Sequence, residues 1–382
     1  MKYLPLVWAN LLRHRWRSLL TFLSIVSAFL LFGLLHGVST GFDATIDALS
    51  DSRLRVQNRM SWTRWQPLSQ LAEIERVPGV TAVGIYAFFG GYYQDPGNPV
   101  SAGAVDPARL FKVYPDLDLP PEQREAMLNT RTGALVGADL AKKYGWKIGD
   151  HIPLGTPIWQ RVDGEPWAVD IVGIYRFKNR ALPANELWMH ADYFNEGRTA
   201  LRNMVSLYLV AIDNPAHAAR ISHDIDALFR NSSNPTLTQS EKEWVGARLR
   251  RIGNVRLVVD TILVAVLFTL LALTANTMMQ AVRERIPELA VLKTLGYSEA
   301  VINGMVVAES LLLCVGAAIC GLALAALVFP RVFETVGVGA TPIPPSVPIV
   351  GLLIAVGVAL VSSAPPLWKS SRLDVVAALA AR

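Results

Sequence analysis

Cysteine is nearly missing from this chain of 382 residues; the two present, Cys314 and Cys320, share one apolar run. The stretch from Gly41 to Arg256 has none, so no disulfide can staple it in any compartment. It must be stable through its own apolar core, which a length of about 200 residues allows. The signatures of catalysis are missing too. The sequence holds no GxxxxGK[ST] phosphate loop, no GxSxG elbow, no HExxH and no CxxC pair. His151, His190, His217 and His223 are scattered, and the spacing of the last two does not put them on one helix face. They read as ordinary solvated or core histidines. The carboxylates are many but unclustered. Nothing points to catalysis or to a metal site, so an energy source must come from another subunit, from an ion gradient, or be absent. A concentrated basic face is also lacking: residues 41–256 carry 25 basic and 24 acidic side chains, which argues against nucleic-acid binding.

What is present is apolar sequence, 52% of the residues. Such a composition fits a mixed membrane and soluble protein. Residues 1–17 place Leu4, Trp8, Leu11 and Leu12 on a helical stripe followed by Arg13, Arg15 and Arg17, with no acidic residue before Asp43. This predicts an amphipathic helix on the inner membrane face. Ser18 to Val38 has no Asp, Glu, Lys or Arg and is long enough to cross, and it reads as an uncleaved anchor rather than a signal peptide. Further spans are expected at 257–280, 301–329 and 347–368, the last ended by Pro365–Pro366, with an outer loop at 330–346 and a tail at 369–382. The arginines and lysines favour both termini in the cytoplasm. Gly33, Gly37 and Gly41 form a stripe that lets another helix approach, within this chain or in a second copy, and Gly304, Gly316 and Gly321 do the same in the third span. Glu309 is costly in a span. It either snorkels to the inner interface or takes part in gating or a subunit contact.

The region 41–256 reads as an outer α+β domain. A stalk helix is expected over 42–57, a helix over 68–77 stopped by Pro78–Gly79, and a strand over 80–89. Asp106–Pro107 opens a short helix, 115–121 is a proline-rich break, and 137–144 is a helix stopped by Gly145. Strands follow at 167–177 and 205–212, then a helix capped by Asn214, then a returning stalk over 244–256. Of seven tryptophans here, Trp62 and Trp65 in SWTRW look more exposed, as contacts for a lipid-like cargo or a partner or as core and capping residues.

The segment between the second and third spans, Ala281 to Ser310, is a short charged helix between apolar runs. Pro287 suits its first turn and Gly296 its left-handed stop. Glu288 lies near the positive end of the helix dipole and Lys293 near the negative end. Leu289, Leu292 and Leu295 offer one apolar side for docking. It is either pushed by a partner or is a loop helix that only joins two spans.

One span, a large domain, then three spans, together with RERIPELAVLKTLGYS at 283–298, resembles the MacB/FtsX-type permeases of bacterial ABC transporters, the mechanotransmission class that includes LolC and LolE. The string maps Arg283, Glu284, Arg285, Glu288, Leu289, Val291, Leu292, Lys293, Leu295 and Gly296 onto the family's inner helix. LLRHRWRSLLTFLSI looks like its N-terminal pattern, with Ser24 where a glycine is usual. PGV at 78–80, VDP at 105–107, ALVGADLAKKYGWKIGD at 134–150 and VDIVGIY at 169–175 resemble its periplasmic domain.

The resemblance implies a four-helix α+β membrane protein of the bacterial inner membrane, with its domain in the periplasm. It implies a homodimer or related heterodimer on two copies of a cytoplasmic ATPase, which holds ATP and Mg, with a periplasmic adaptor and an outer-membrane channel as possible further partners. Residues 281–300 would be the coupling helix, with Arg283, Glu284, Arg285, Glu288, Leu289, Leu292, Lys293 and Gly296 meeting the ATPase. The outer domain would divide into a porter-like part, about 61–115 and 190–240, and an inserted β-rich part, about 116–189. The cargo would be hydrophobic: drug, peptide, lipid or lipoprotein. The alternative is FtsX-like signalling, in which the domain activates a periplasmic partner without transport.

Overall fold

The structure is a computed structural model that describes residues 15–179, 182–251, 255–284, 286, 291, 293–335 and 343–371. Two compact units emerge, one holding the four long helices and the other built on residues 43–253.

The long helices are Arg15–Ala48, Val255–Glu284, Glu299–Thr335 and Ser346–Ser371. Each contains a stretch long and apolar enough to cross a membrane. Ile25, Phe29 and Phe32 of the first pack with Cys314, Ala317, Ala318 and Leu322 of the third and Ala355, Val358 and Ala359 of the fourth. Two expected boundaries move. Pro330 lies inside the third helix, and Pro365–Pro366 lie inside the fourth rather than ending it. A proline within a helix removes one backbone bond, a loss that neighbouring helices can make good in a span. The N-terminal amphipathic helix predicted over 1–17 falls outside the described residues except at its last three, which already belong to the first long helix. Most of the tail is likewise outside.

The second unit is a mixed sheet. Its strands are β1 (Arg53–Asn58), β2 (Gln66–Pro67), β3 (Val80–Phe88), β4 (Gly91–Tyr93), β5 (Pro99–Val100), β6 (Ala102–Val105) and β7 (Leu117–Asp118). There follow β8 (Gly133–Gly137), β9 (His151–Gly155), β10 (Trp167–Phe177), β11 (Leu187–His190), β12 (Met204–Val205), β13 (Leu207–Ile212) and β14 (Thr236–Ser240). The order is β14-β1-β13-β3-β6-β11-β8-β10-β9-β4-β5, with β7 beside β10 and a separate β2–β12 pair. The segment 116–189 thus adds strands to the same sheet, and the β4–β5 hairpin from outside it pairs with β9. Helices over Gln70–Glu75, Pro107–Val113 and Ala218–Phe229 cover the sheet. The last buries Ile221, Ile225 and Phe229, four apart on one face, against Leu54, Val56, Tyr208 and Val210. Asp106 caps its helix by accepting from the Arg109 N–H, and Gly145 stops Ala138–Tyr144 at φ +71°.

The stalk expected over 42–57 is corrected. The first long helix ends at Ala48, and 53–58 is β1. The Ser50 hydroxyl accepts from the Ser52 N–H, a local bond that competes with helix continuation. Beyond it, β1 pairs on both edges, Arg53 opposite Ala211 and Leu54 opposite Ser240. The returning helix starts earlier than expected, at Glu241, because Ser240 and Glu243 form a reciprocal capping box: the Ser240 N–H donates to Glu243 Oε2 and the Glu243 N–H to Ser240 Oγ.

Candidate functional site

Three places carry the residues singled out by sequence. The first is the segment joining the second and third long helices. Arg285, Glu288, Leu289 and Leu292 lie outside the described residues. Glu284 accepts from Arg17 at 2.6 Å, and Lys293 donates to Glu299 at 2.8 Å. Both ends of the segment are therefore tied within the chain. Arg283, Val291 and Leu295 are exposed. Gly296 stands at φ +89°, with its N–H on the Lys293 carbonyl, the left-handed position read from sequence.

The second is the helix contact. A Cβ at Gly33 would sit 2.6 Å from the Ala325 Cβ, one at Gly37 2.8 Å from the Phe329 ring, and one at Gly321 2.6 Å from the Val26 carbonyl oxygen. These glycines let the first and third helices of the same chain touch, so of the two partners left open for the stripe, the internal one is present. Gly316 is looser, its nearest neighbour being Phe22 at 3.8 Å, and Gly41 is buried. Glu309 is 7% exposed. The adjacent Ser310 hydroxyl donates to the Ala359 carbonyl at 3.0 Å, which sets this turn of the third helix against the fourth.

The third place was not found from sequence. Where β1 follows the first long helix and the Glu241 helix leaves β14, charged side chains come together, Arg53 and Glu241 buried and Arg55 and Asp116 half-buried. Arg53 donates through Nε to Glu241 Oε2 at 2.9 Å and through Nη1 to Asp116 Oδ1 at 2.8 Å. Arg55 reaches Glu241 Oε1 at 3.4 Å, and the Tyr114 hydroxyl donates to the same oxygen at 2.8 Å. Arg53 lies over the Tyr114 ring and Arg55 over the Trp244 ring, at 4.5 and 4.4 Å. Outside this core, Lys242 pairs with Asp51 at 2.9 Å, and Trp244 Nε1 donates to Gln57 at 3.0 Å. Burial pushes the Glu241 carboxyl up, but Arg55 and Arg53, with the bonds from Arg53 and Tyr114, outweigh it and hold the group below its ordinary range. Burial and the neighbouring Glu241 push the Tyr114 phenol up, so it stays a neutral donor. Only the capping pattern Ser240-x-x-Glu243 hinted in sequence that a helix begins here.

Of the two roles left open for Trp65, the core one is present. It is 9% exposed and packs edge-on to Trp159 at 5.0 Å. Trp62 is 53% exposed, edge-on to Phe88. His151 pairs with Asp170 at 2.7 Å, and His217 lies 3.4 Å from Asp213, both on the surface. Among the described residues no three His, Cys, Asp or Glu side chains come together to hold a metal.

Residues 18–228 match the family of MacB-like periplasmic core domains, and residues 261–375 match the C-terminal part of FtsX-like permeases. No curated protein matches in sequence. Among solved structures, the extracellular domain of the noncanonic ABC-type transporter YknZ from Gram-positive bacteria is similar at 13% identity, covering 49% of this chain and 98% of that one, with a TM-score of 0.36. The periplasmic region of MacB from Actinobacillus actinomycetemcomitans is similar at 8% identity, covering 54% and 95%, with a TM-score of 0.38. A domain of a putative permease protein from Porphyromonas gingivalis is similar at 13% identity, covering 50% and 90%, with a TM-score of 0.31.

Proposed function

This chain belongs to the family of permeases with a MacB-like periplasmic core domain and an FtsX-like C-terminal part, and on that premise we propose that it relays ATP-driven motion from a separate ATPase to the domain of residues 43–253. The role is that of an ABC transporter permease, a class that is generally not enzymatic. In the proposal, ATP and Mg are held by a cytoplasmic ATPase dimer that docks on the segment around 283–296. Two permease copies stand in the inner membrane with both termini inside. The domain faces the periplasm, where it handles a hydrophobic cargo, with or without an adaptor.

The observation that supports this reading is the joint of buried Arg53, Glu241 and Tyr114 with half-buried Arg55 and Asp116. It binds the chain segment leaving the first long helix to the segment that leads into the second. A buried ion pair is weak evidence for stability, because desolvation offsets much of the attraction. What it does supply is one fixed geometry, and a relay needs that at the roots of its two connections. The segment between helices supports it in the same way, since its ends are tied by Arg17–Glu284 and Lys293–Glu299.

The direct test is Leu292→Arg in the full permease with its ATPase. The substitution leaves the fold intact and abolishes cargo-linked ATP turnover. Normal turnover would overturn the relay.

A further inference from the structure

Arg198 is 1% exposed, yet no described carboxylate pairs with it. Its Nη2 donates to Asn195 Oδ1 at 2.8 Å and to the Met204 carbonyl at 2.7 Å, while Nε and Nη1 have no acceptor among the described residues. The guanidinium carbon stands 4.8 Å from the Phe194 ring centre, 5.0 Å from Trp65 and 5.7 Å from Trp159. The rings take the faces of the cation. They do not replace an oxygen in the plane of its N–H bonds. Trp159 Nε1 is also buried without an acceptor among the described residues. Among the described residues this box therefore holds a surplus of donors, a positive charge and no negative one. Burial alone depresses the guanidinium, to about 10, which leaves it charged at neutral pH. The complementary chemistry is an acceptor-rich anion.

The cover of the box is irregular chain. Trp159 stands on residues 156–166 between β9 and β10. That segment is joined to the neighbouring loop by the Val162 N–H on the Gly197 carbonyl at 2.8 Å and the Thr199 N–H on the Gln160 carbonyl at 3.1 Å. Ile158, Val162 and Leu201 are apolar and 54%, 59% and 45% exposed. Leu201 and Asn203 hold φ of +56° and +57°, a strained conformation of the kind that collects at ligand sites.

We propose that Arg198 and Trp159 bind the anionic head of an amphiphile, a carboxylate, sulfate or phosphate, whose alkyl part lies along Ile158, Val162 and Leu201. Residues 156–166 lift to admit it. Calling this ligand the cargo rests on the transport reading; the binding itself does not, and it needs no ATPase.

The test uses the full chain in phosphatidylcholine nanodiscs, titrated with decyl phosphate, decyl maltoside and inorganic phosphate while tryptophan emission is followed. Decyl phosphate binds saturably and at least tenfold more tightly than either other probe. Arg198→Met removes that preference, and Trp159→Phe, which keeps a ring but loses the N–H, weakens it several-fold. The unliganded Arg198→Met protein melts no lower than the parent, because an unpaired buried charge has gone. Equal binding of the two detergents, or unchanged binding by Arg198→Met, would overturn the site. Inorganic phosphate binding as tightly as decyl phosphate would overturn the amphiphile. A clear fall in melting temperature would mark Arg198 as structural and overturn its role. Normal ATP turnover by Leu292→Arg would sink the relay and leave all these results standing.

Discussion

Arg53 and Glu241 stand 188 residues apart in sequence, yet Nε of one donates to Oε2 of the other across 2.9 Å in the interior of the domain. Arg53 is in β1, five residues past the end of the first long helix, and Glu241 opens the helix that leads toward the second. The pair ties β1 to the start of that helix.

Removing one partner of this joint differs from removing all of them. Glu241→Gln takes the carboxylate from Arg55 and one of two from Arg53, which keeps Asp116, and costs at most about 3–5 kcal/mol, the penalty for breaking a fully buried pair. The triple change Arg53→Met, Arg55→Met and Glu241→Leu recovers most of that stability. Thermal unfolding of the full chain reads both results. The triple variant still loses cargo-linked ATP turnover; if it turned over normally, the joint would have no part in the relay.

Acid acts on the same carboxylate. The folded Glu241 group is held below its unfolded value, so its contribution is complete above roughly pH 4.3, the ordinary range for glutamate. It is lost as pH falls through the lower, folded-state value. Asp170, lowered by its bonds from His151 and Thr132, acts in the same direction. Unfolding followed from pH 7 to pH 3 shows a decline confined to the acid end, and Glu241→Gln flattens it.

Two glycines in long helices separate packing from propensity. Gly33→Ala places a methyl 2.6 Å from the Ala325 Cβ and forces the first and third helices apart, at a cost of about 1–3 kcal/mol. Gly304→Ala meets open space among the described residues and is neutral or gains up to about 1 kcal/mol in helix propensity. Melting of the two variants in one detergent shows the opposite signs.

The tie between Arg17 and Glu284 is partly exposed and contributes about 0–1 kcal/mol, so reversing it barely changes stability. Its effect is on geometry. Arg17→Glu lowers the ATP turnover of the complex, and adding Glu284→Arg restores it. Failure of the double reversal to restore turnover would show that each residue acts through some other partner.

The parts of this fold written in local pattern were legible. Apolar length marked the four long helices, Asp106–Pro107 and Asn214–Pro215 marked helix starts, and Gly145 and Gly296 marked left-handed stops. What depends on distant partners was not. β1 was read as a helix because its strand character comes from β13 and β14, far away in sequence. Arg53, Arg55 and Glu241 are ordinary surface residue types, and only the fold brings them together, Arg53 and Glu241 buried and Arg55 half-buried. Trp65 looked exposed beside Arg64, yet its ring joins Trp159 and Arg198 inside. Gly33 and Gly321 were seen as small residues, while the helix that each meets came from the packing.

The position of β1 also bears on how the chain is made. It emerges early from the ribosome, but both neighbours that satisfy its backbone, residues 207–212 and 236–240, lie in the last quarter of the domain. Until then its two edges stand open as templates for any passing strand. Assembly of this domain must therefore wait for its own final segment, and a nascent chain arrested before residue 236 is a target for chaperones and proteases rather than a partly working permease.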